Sequence, residues 1–166
     1  MKRVGLVIRA VIGVAVIGLG FSTAVRAAES AKAQITDDEN KLMNATSTDQ
    51  AIQYYDQKNI DFYDVVPPLQ FKGGDAVRGD LDNFFTNAKD LKGNMVELTV
   101  ITDGKLGVAY SLQHFSWTGK DGKPMEGTFR VTDAYHKVDG QWKIFHSQVS
   151  VPVDPKTGLG QMNLNS

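Results

Sequence analysis

Cysteine is absent from the 166 residues, which excludes disulfide staples, thiol nucleophiles and cysteine zinc sites. Histidine occurs only at 114, 136 and 146, without the H-E-x-x-H spacing or its relatives, so the sequence predicts no metal site. No G-x-S-x-G elbow, G-x-x-x-x-G-K-[ST] loop or G-x-G-x-x-G fingerprint is present. The α/β-hydrolase, P-loop and dinucleotide readings fall with them, and no cofactor is expected. Charge of one sign is missing too, with 18 Lys and Arg against 19 Asp and Glu. The cations are scattered rather than clustered, which speaks against nucleic-acid binding. What remains is 42% hydrophobic residues, enough for one ordinary core in a chain of this size.

Lys2, Arg3 and Arg9 precede sixteen uncharged, largely apolar residues from Ala10 to Val25, and small residues flank Arg26 at Val25 and Ala27. This pattern predicts a secretory signal peptide over residues 1–27, cleaved after Ala27. Sixteen helical residues reach only ~24 Å, short of a hydrocarbon core of ~30 Å, so the alternative of a retained anchor is the weaker one. Cleavage would leave 14 cations against 19 acids, an acidic protein in the periplasm or outside the cell, with no membrane attachment.

No repeat or low-complexity linker divides the remainder, so residues 28–154 are expected as one domain and 155–166 as a flexible polar tail. Thr36-x-x-Glu39 and Ser47-x-x-Gln50 read as capping boxes, each predicting a short helix. Asp61–Val66 and Leu69–Lys72, separated by Pro67-Pro68, read as a short hairpin. Asp75 is expected to cap a third helix, whose Val77, Leu81, Phe84, Phe85 and Ala88 form one apolar stripe. Beyond Met95, three Asp-Gly pairs at 103–104, 121–122 and 139–140 punctuate β-rich sequence. They predict four antiparallel strands, near 94–102, 105–118, 123–138 and 141–153. Helices followed by a long meander give an α+β plan, a curved sheet packed by three helices around a hollow.

Several strings then point to a family. Tyr54-Tyr55-Asp56, Asp64 through Gly73, Tyr110-Ser111-Leu112-Gln113-His114, and Arg130 through Asp154 with its Trp142-x-Ile144-x-His146 and Ser150-Val151-Pro152 together resemble the SnoaL-like, ketosteroid-isomerase-like proteins. These share the cone fold of nuclear transport factor two. The resemblance covers about residues 36–154 and implies an open α+β cone with a pocket, usually a homodimer formed through the sheet. It implies no single activity, because relatives include isomerases, cyclases, hydrolases, ligand binders and assembly domains.

The candidate chemistry rests on carboxylates. Period two places Asp133 with Phe129, Val131 and Tyr135 on the more apolar face, where a lone carboxylate is costly unless paired or protonated. By the resemblance it stands where ketosteroid isomerases carry a protonated Asp; the alternative is a structural carboxylate satisfied by Arg130, Thr132 or His146. Asp64 is similar in position to the isomerase general base; the alternative is a turn former ahead of the prolines. The isomerases' first-helix Tyr has no counterpart between Ile35 and Thr46. His146 is read on one face with Trp142, Ile144, Gln148 and Ser150, and could act as acid or base; His114 is read beside Tyr110 and Leu112 on the neighbouring strand. The expected ligand-contacting set is therefore Phe84, Tyr110, His114, Trp142 and Ser150, with Asp64, Asp133 and His146 as the reactive groups.

Two functions follow. One is binding of a small, largely apolar molecule in the cone, with cofactor-free proton transfer next to a carbonyl. The other is a non-catalytic module that dimerises or docks a partner through an outer sheet face carrying Phe145, Val149 and Val151. An open cavity lined by the carboxylates favours the first; one filled by Phe84, Tyr110 and Trp142 favours the second.

Overall fold

The computed structural model describes residues 17–164, so most of the expected signal peptide lies outside the described residues. Helix α1 spans Ile17–Met43, α2 Thr48–Ile52 and α3 Gly74–Asn87. Strands are β1 Asp61–Tyr63, β2 Phe71–Lys72, β3 Lys89–Thr102, β4 Leu106–Thr118, β5 Pro124–Val138 and β6 Gln141–Ser150. They form one sheet in the order β2-β1-β6-β5-β4-β3, antiparallel throughout except where β1 runs parallel to β6. The expected α+β cone is present, with the meander in its expected place.

The turns explain the meander. Asp139 and Gly140 both take positive φ, 50° and 81°, the pair of left-handed residues that a two-residue hairpin needs to match strand twist. Gly104 and Gly122 supply the same freedom in the two preceding turns.

Helix starts are only partly as expected. Ser47 does cap α2, accepting from the Gln50 N–H at 3.4 Å, while the Gln50 side chain accepts from Thr46 N–H at 2.8 Å. Thr36, by contrast, caps nothing. It lies inside one continuous α1, and its carbonyl accepts from the Asn40 side chain. The reason is the buried stripe Ala31, Ile35, Glu39 and Met43, spaced by four, which continues through Thr36 without a break. Asp75 is likewise not the cap of α3. Gly73 is, with φ 77°, because Gly74 packs so tightly on Gln57 that an added Cβ would lie 2.7 Å from the Gln57 Cβ.

The core sits at the narrow end of the cone. Ile35, Ile60, Val77, Tyr135 and Ile144 are essentially inaccessible there, and Trp142 packs with them. Gly107 lets α1 approach the sheet, since a Cβ at that position would lie 2.5 Å from the Ile35 Cδ1. The segment expected to trail off after residue 154 instead folds back: Gln161 N–H bonds to the Pro152 carbonyl and Thr128 N–H to the Met162 carbonyl, both at 2.7 Å. It forms a strap beside β5.

Candidate functional site

The wide end of the cone is open and holds a cavity of about 540 Å³. Its walls are mostly apolar: Leu42 and Met43 from α1, Leu81 and Phe85 from α3, Phe129 and Val131 from β5. Met162, from the C-terminal strap, forms part of the same wall. Against this apolar lining stand three carboxylates, Asp64, Asp80 and Asp133, together with the Tyr55 phenol.

These acids occur as two pairs. On the helix side, Asp64, just past β1, meets Asp80 of α3 carboxyl to carboxyl, and the Asp64 Oδ1 also accepts from the Val65 N–H at 2.6 Å. Burial raises Asp64 above the usual carboxylate range. Burial, then the charge and hydrogen bond of Asp64, push Asp80 up to about 7. Two carboxyls in contact cannot both ionise cheaply, so this pair holds one shared proton near neutrality.

On the sheet side, Asp133 of β5 meets Glu39 of α1, which lies behind it and outside the cavity lining. Glu39 is 1% exposed and accepts from the Tyr135 hydroxyl at 2.8 Å. Burial, then the charge of Asp133, push Glu39 up to about 9. Burial pushes Asp133 up to about 6, opposed by hydrogen bonds from Ser147 and Glu39. Glu39 is therefore the protonated partner, and Asp133 carries the negative charge near neutrality. Its Oδ1 is buried without a hydrogen-bond partner. Tyr55 lies within electrostatic reach of all four carboxyls, and burial followed by those charges holds its phenol well above the ordinary value, so it keeps its proton.

The sequence model of the SnoaL-like domain matches residues 24–154. The chain belongs to the SnoaL-like domain family. Among solved structures, this SnoaL-like domain is similar to a nuclear-transport-factor-2-like protein of unknown function from Pseudomonas putida, at 25% identity and a TM-score of 0.74. The match covers 83% of this chain and 98% of that one. A nuclear-transport-factor-2-like superfamily protein from Salmonella enterica matches at 18% identity and TM-score 0.69, covering 80% and 99%. A ketosteroid isomerase-like protein from Erwinia carotovora matches at 17% and 0.62, covering 72% and 94%. The last two establish the shared fold. No functionally curated protein shows significant similarity to the chain.

Of the eight residues expected as reactive or ligand-contacting groups, the SnoaL-like domain brings Asp64, Asp133 and Phe84 to the cavity. The others lie elsewhere. A bulge at Phe145 pairs Ala134 with His146 but Tyr135 with Ile144, so one extra residue reverses the alternation along β6. Ser147 and Val149 then line the cavity, while His146 and Ser150 face outward. The His146 Nδ1 hydrogen-bonds with the Asp61 carbonyl at 3.0 Å, and Tyr63 packs edge-on against its ring. Val149, assigned from sequence to the outer face, belongs to the inner one. Trp142 is buried in the core at the closed end and does not line the cavity. On β4 the inward residues are the small or polar Gly107, Ala109, Ser111 and Gln113, followed by Phe115 and Trp117 in the cavity wall, which leaves Tyr110 and His114 outside. Hydrophobicity misleads here because the outer face of β4, with Leu106, Val108 and Leu112, is the more apolar one.

Three residues escaped the sequence reading: Glu39, Tyr55 and Asp80. Glu39 is the third member of the stripe spaced by four in α1, and Asp80 flanks the α3 stripe three residues after Val77. That helical spacing is the signal that places both acids inward.

Proposed function

We propose that this chain binds a small, largely apolar molecule in the cone and carries out cofactor-free acid/base chemistry on it. The observation that supports this most is an open cavity of about 540 Å³ in which paired carboxyls stand on an otherwise apolar lining. Solid packing by Phe84, Tyr110 and Trp142, the arrangement that would favour a purely structural module, is not what the cavity shows. The family includes isomerase- and dehydratase-type enzymes as well as ligand binders. In the proposed chemistry Asp64 accepts a proton from carbon next to a carbonyl, Asp80 tunes it by sharing a proton, and the Tyr55 phenol donates to the developing oxyanion. Asp133 orients the ligand through its carboxylate.

The test is a native mass spectrum of protein purified from its own host, where a retained small molecule is expected. Asp64→Asn should abolish its retention or turnover while the melting temperature stays within a few degrees of wild type. Retention unchanged in Asp64→Asn, or an empty cavity in protein from every growth condition, would contradict the reading.

Export is part of the same proposal. Val25, Arg26 and Ala27 of α1 are exposed, whereas Ala28 is partly buried and Ala31 and Ile35 are buried. A chain beginning at Ala28 thus keeps the packed residues described for α1. The intact mass of the protein recovered from the periplasm or medium is expected to correspond to a start at Ala28; a full-length mass on the membrane would contradict it.

A second copy of this chain is proposed to cover the outer sheet face. Ile101, Leu106, Val108 and Tyr110 stand exposed side by side on β3 and β4, an apolar surface of the kind that marks an interface. Sedimentation should show a dimer that Val108→Glu converts to monomer without unfolding; a monomeric wild type would contradict this.

A further inference from the structure

The site as described fixes more than the size of its ligand. Its lining is mostly apolar, and besides neutral polar groups such as Gln113, Ser147 and Asn83 it carries three acids, Asp64, Asp80 and Asp133, with Glu39 hydrogen-bonded behind the last. Among the described residues the lone cation of the lining, Lys120, is exposed. No Lys or Arg figures among the groups that perturb Asp64, Asp80 or Asp133, so the acids have only each other. One buried atom among them is left without any partner, the Asp133 Oδ1, on a side chain only 2% exposed. A buried carboxylate with one oxygen lacking a donor is under-stabilised, so a cation at its cavity face would stabilise its charge. Among the described residues the acids do not gather into a group of three with metal-holding geometry, so a divalent ion is a poor match for that donor. An ammonium group on an apolar body matches this site: a charge-assisted hydrogen bond to the under-satisfied carboxylate, net negative surroundings, and carbon against the apolar wall.

Resting on the ligand-binding reading above, we propose that the molecule bound in the cone is an apolar amine in its protonated form, its ammonium seated at the Asp133 carboxylate with the Asp64–Asp80 pair on the helix side of the same cavity. Its carbon body lies against Leu81, Phe85, Phe129 and Val131. The titratable groups of the lining are Tyr55 after α2, Asp64 after β1, Asp80 from α3, Asp133 from β5 and the exposed Lys120, while Glu39 from α1 and Tyr135 from β5 stand behind Asp133 and act through it. An arriving cation favours ionisation of every acid it faces, so protons held by the pairs are released to solvent on binding. Affinity for the amine therefore rises with pH as Asp133 and then Asp80 ionise, through about 6 and about 7.

Isothermal titration of the full chain with adamantanemethylamine and with its neutral counterpart adamantanemethanol tests this. At about pH 7.5 the amine is expected to bind at least tenfold more tightly than the alcohol, with proton release seen as a buffer-dependent heat. Its advantage should shrink several-fold at about pH 5, where the alcohol is unchanged. Asp133→Asn should remove the preference, and Asp80→Asn should reduce the proton release, so the reading does not depend on one variant folding. Equal binding of amine and alcohol would overturn the amine proposal and leave the apolar-pocket reading standing. Binding of neither at millimolar concentration would overturn both.

Discussion

Between pH 4.5 and 9 the folded protein should become steadily less stable as the pH rises, and Glu39→Gln should remove the largest single share of that slope. The buried Glu39 carboxyl has its folded value pushed from 4.5 to about 9, chiefly by burial and then by the charge of Asp133. An acid raised in this way binds more protons folded than unfolded, so its contribution is whole below the unfolded value and is lost as pH climbs through the folded one. Asp133 and Asp80, raised to about 6 and about 7, act in the same direction within the same window. Acids whose values are lowered, such as Asp56 with its hydrogen bonds from Asn59, Lys58 and His136, act with the opposite sign but only below their ordinary value of 3.8. Glutamine keeps an acceptor for the Tyr135 hydroxyl and needs no proton. At pH 8 the variant is thus expected to be more stable than wild type by a few kcal/mol, and near pH 4.5 about equal to it. Denaturant unfolding at a series of pH values checks this; parallel curves for the two proteins would show that Glu39 is ionised in the fold.

Truncation of Ile144 should produce a large loss of stability. The side chain is wholly buried, in contact with the core at the closed end of the cone. Its backbone also stitches the segment after α2 to the sheet, donating to the Tyr54 carbonyl and accepting from the Asp56 N–H, both at 2.8 Å. Ile144→Ala leaves those bonds in place and opens a void that a rigid sheet cannot close, for a cost of about 2–5 kcal/mol. Leu81→Ala is expected to cost less, because that side chain is only half-buried and faces a cavity that already exists. Urea midpoints for the two variants should rank in that order, with unchanged m-values; a smaller loss at Ile144 would mean that the closed end is loosely packed.

Much of this architecture can be read from local pattern. The Asp-Gly turns and the long β-branched runs between them specify a meander because turn geometry and strand period are both short-range properties. The α3 stripe specifies its buried face for the same reason. What local pattern does not carry is parity across a bulge. One unpaired residue at Phe145 turned His146 and Ser150 outward, and nothing in the β6 sequence marks that position. The inner face of β4 was hidden by a different cause: from Gly107 to Gln113 it is built from Gly, Ala, Ser and Gln to make room for a helix and a cavity, so over that stretch the face with more hydrophobic residues is the outer one. Asp64 and Asp133 could be picked from sequence because a carboxylate on an apolar strand or ahead of a proline pair is conspicuous. Their partners Asp80 and Glu39 sit in helices, where an acid is ordinary, and only the spacing by three and four reveals which way they point. Glu39 was further disguised by Thr36, whose capping-box spacing was a coincidence inside a longer helix.

The direct measurement is a carbon-13 NMR titration of the side-chain carboxyls in the ligand-free protein. If the acids converge in pairs on the cavity, Asp80 and Asp133 should titrate with apparent values near 7 and 6, and Glu39 near 9, each proton shared within its pair. Resonances that all titrate together near 4, as isolated solvated carboxylates do, would contradict the account.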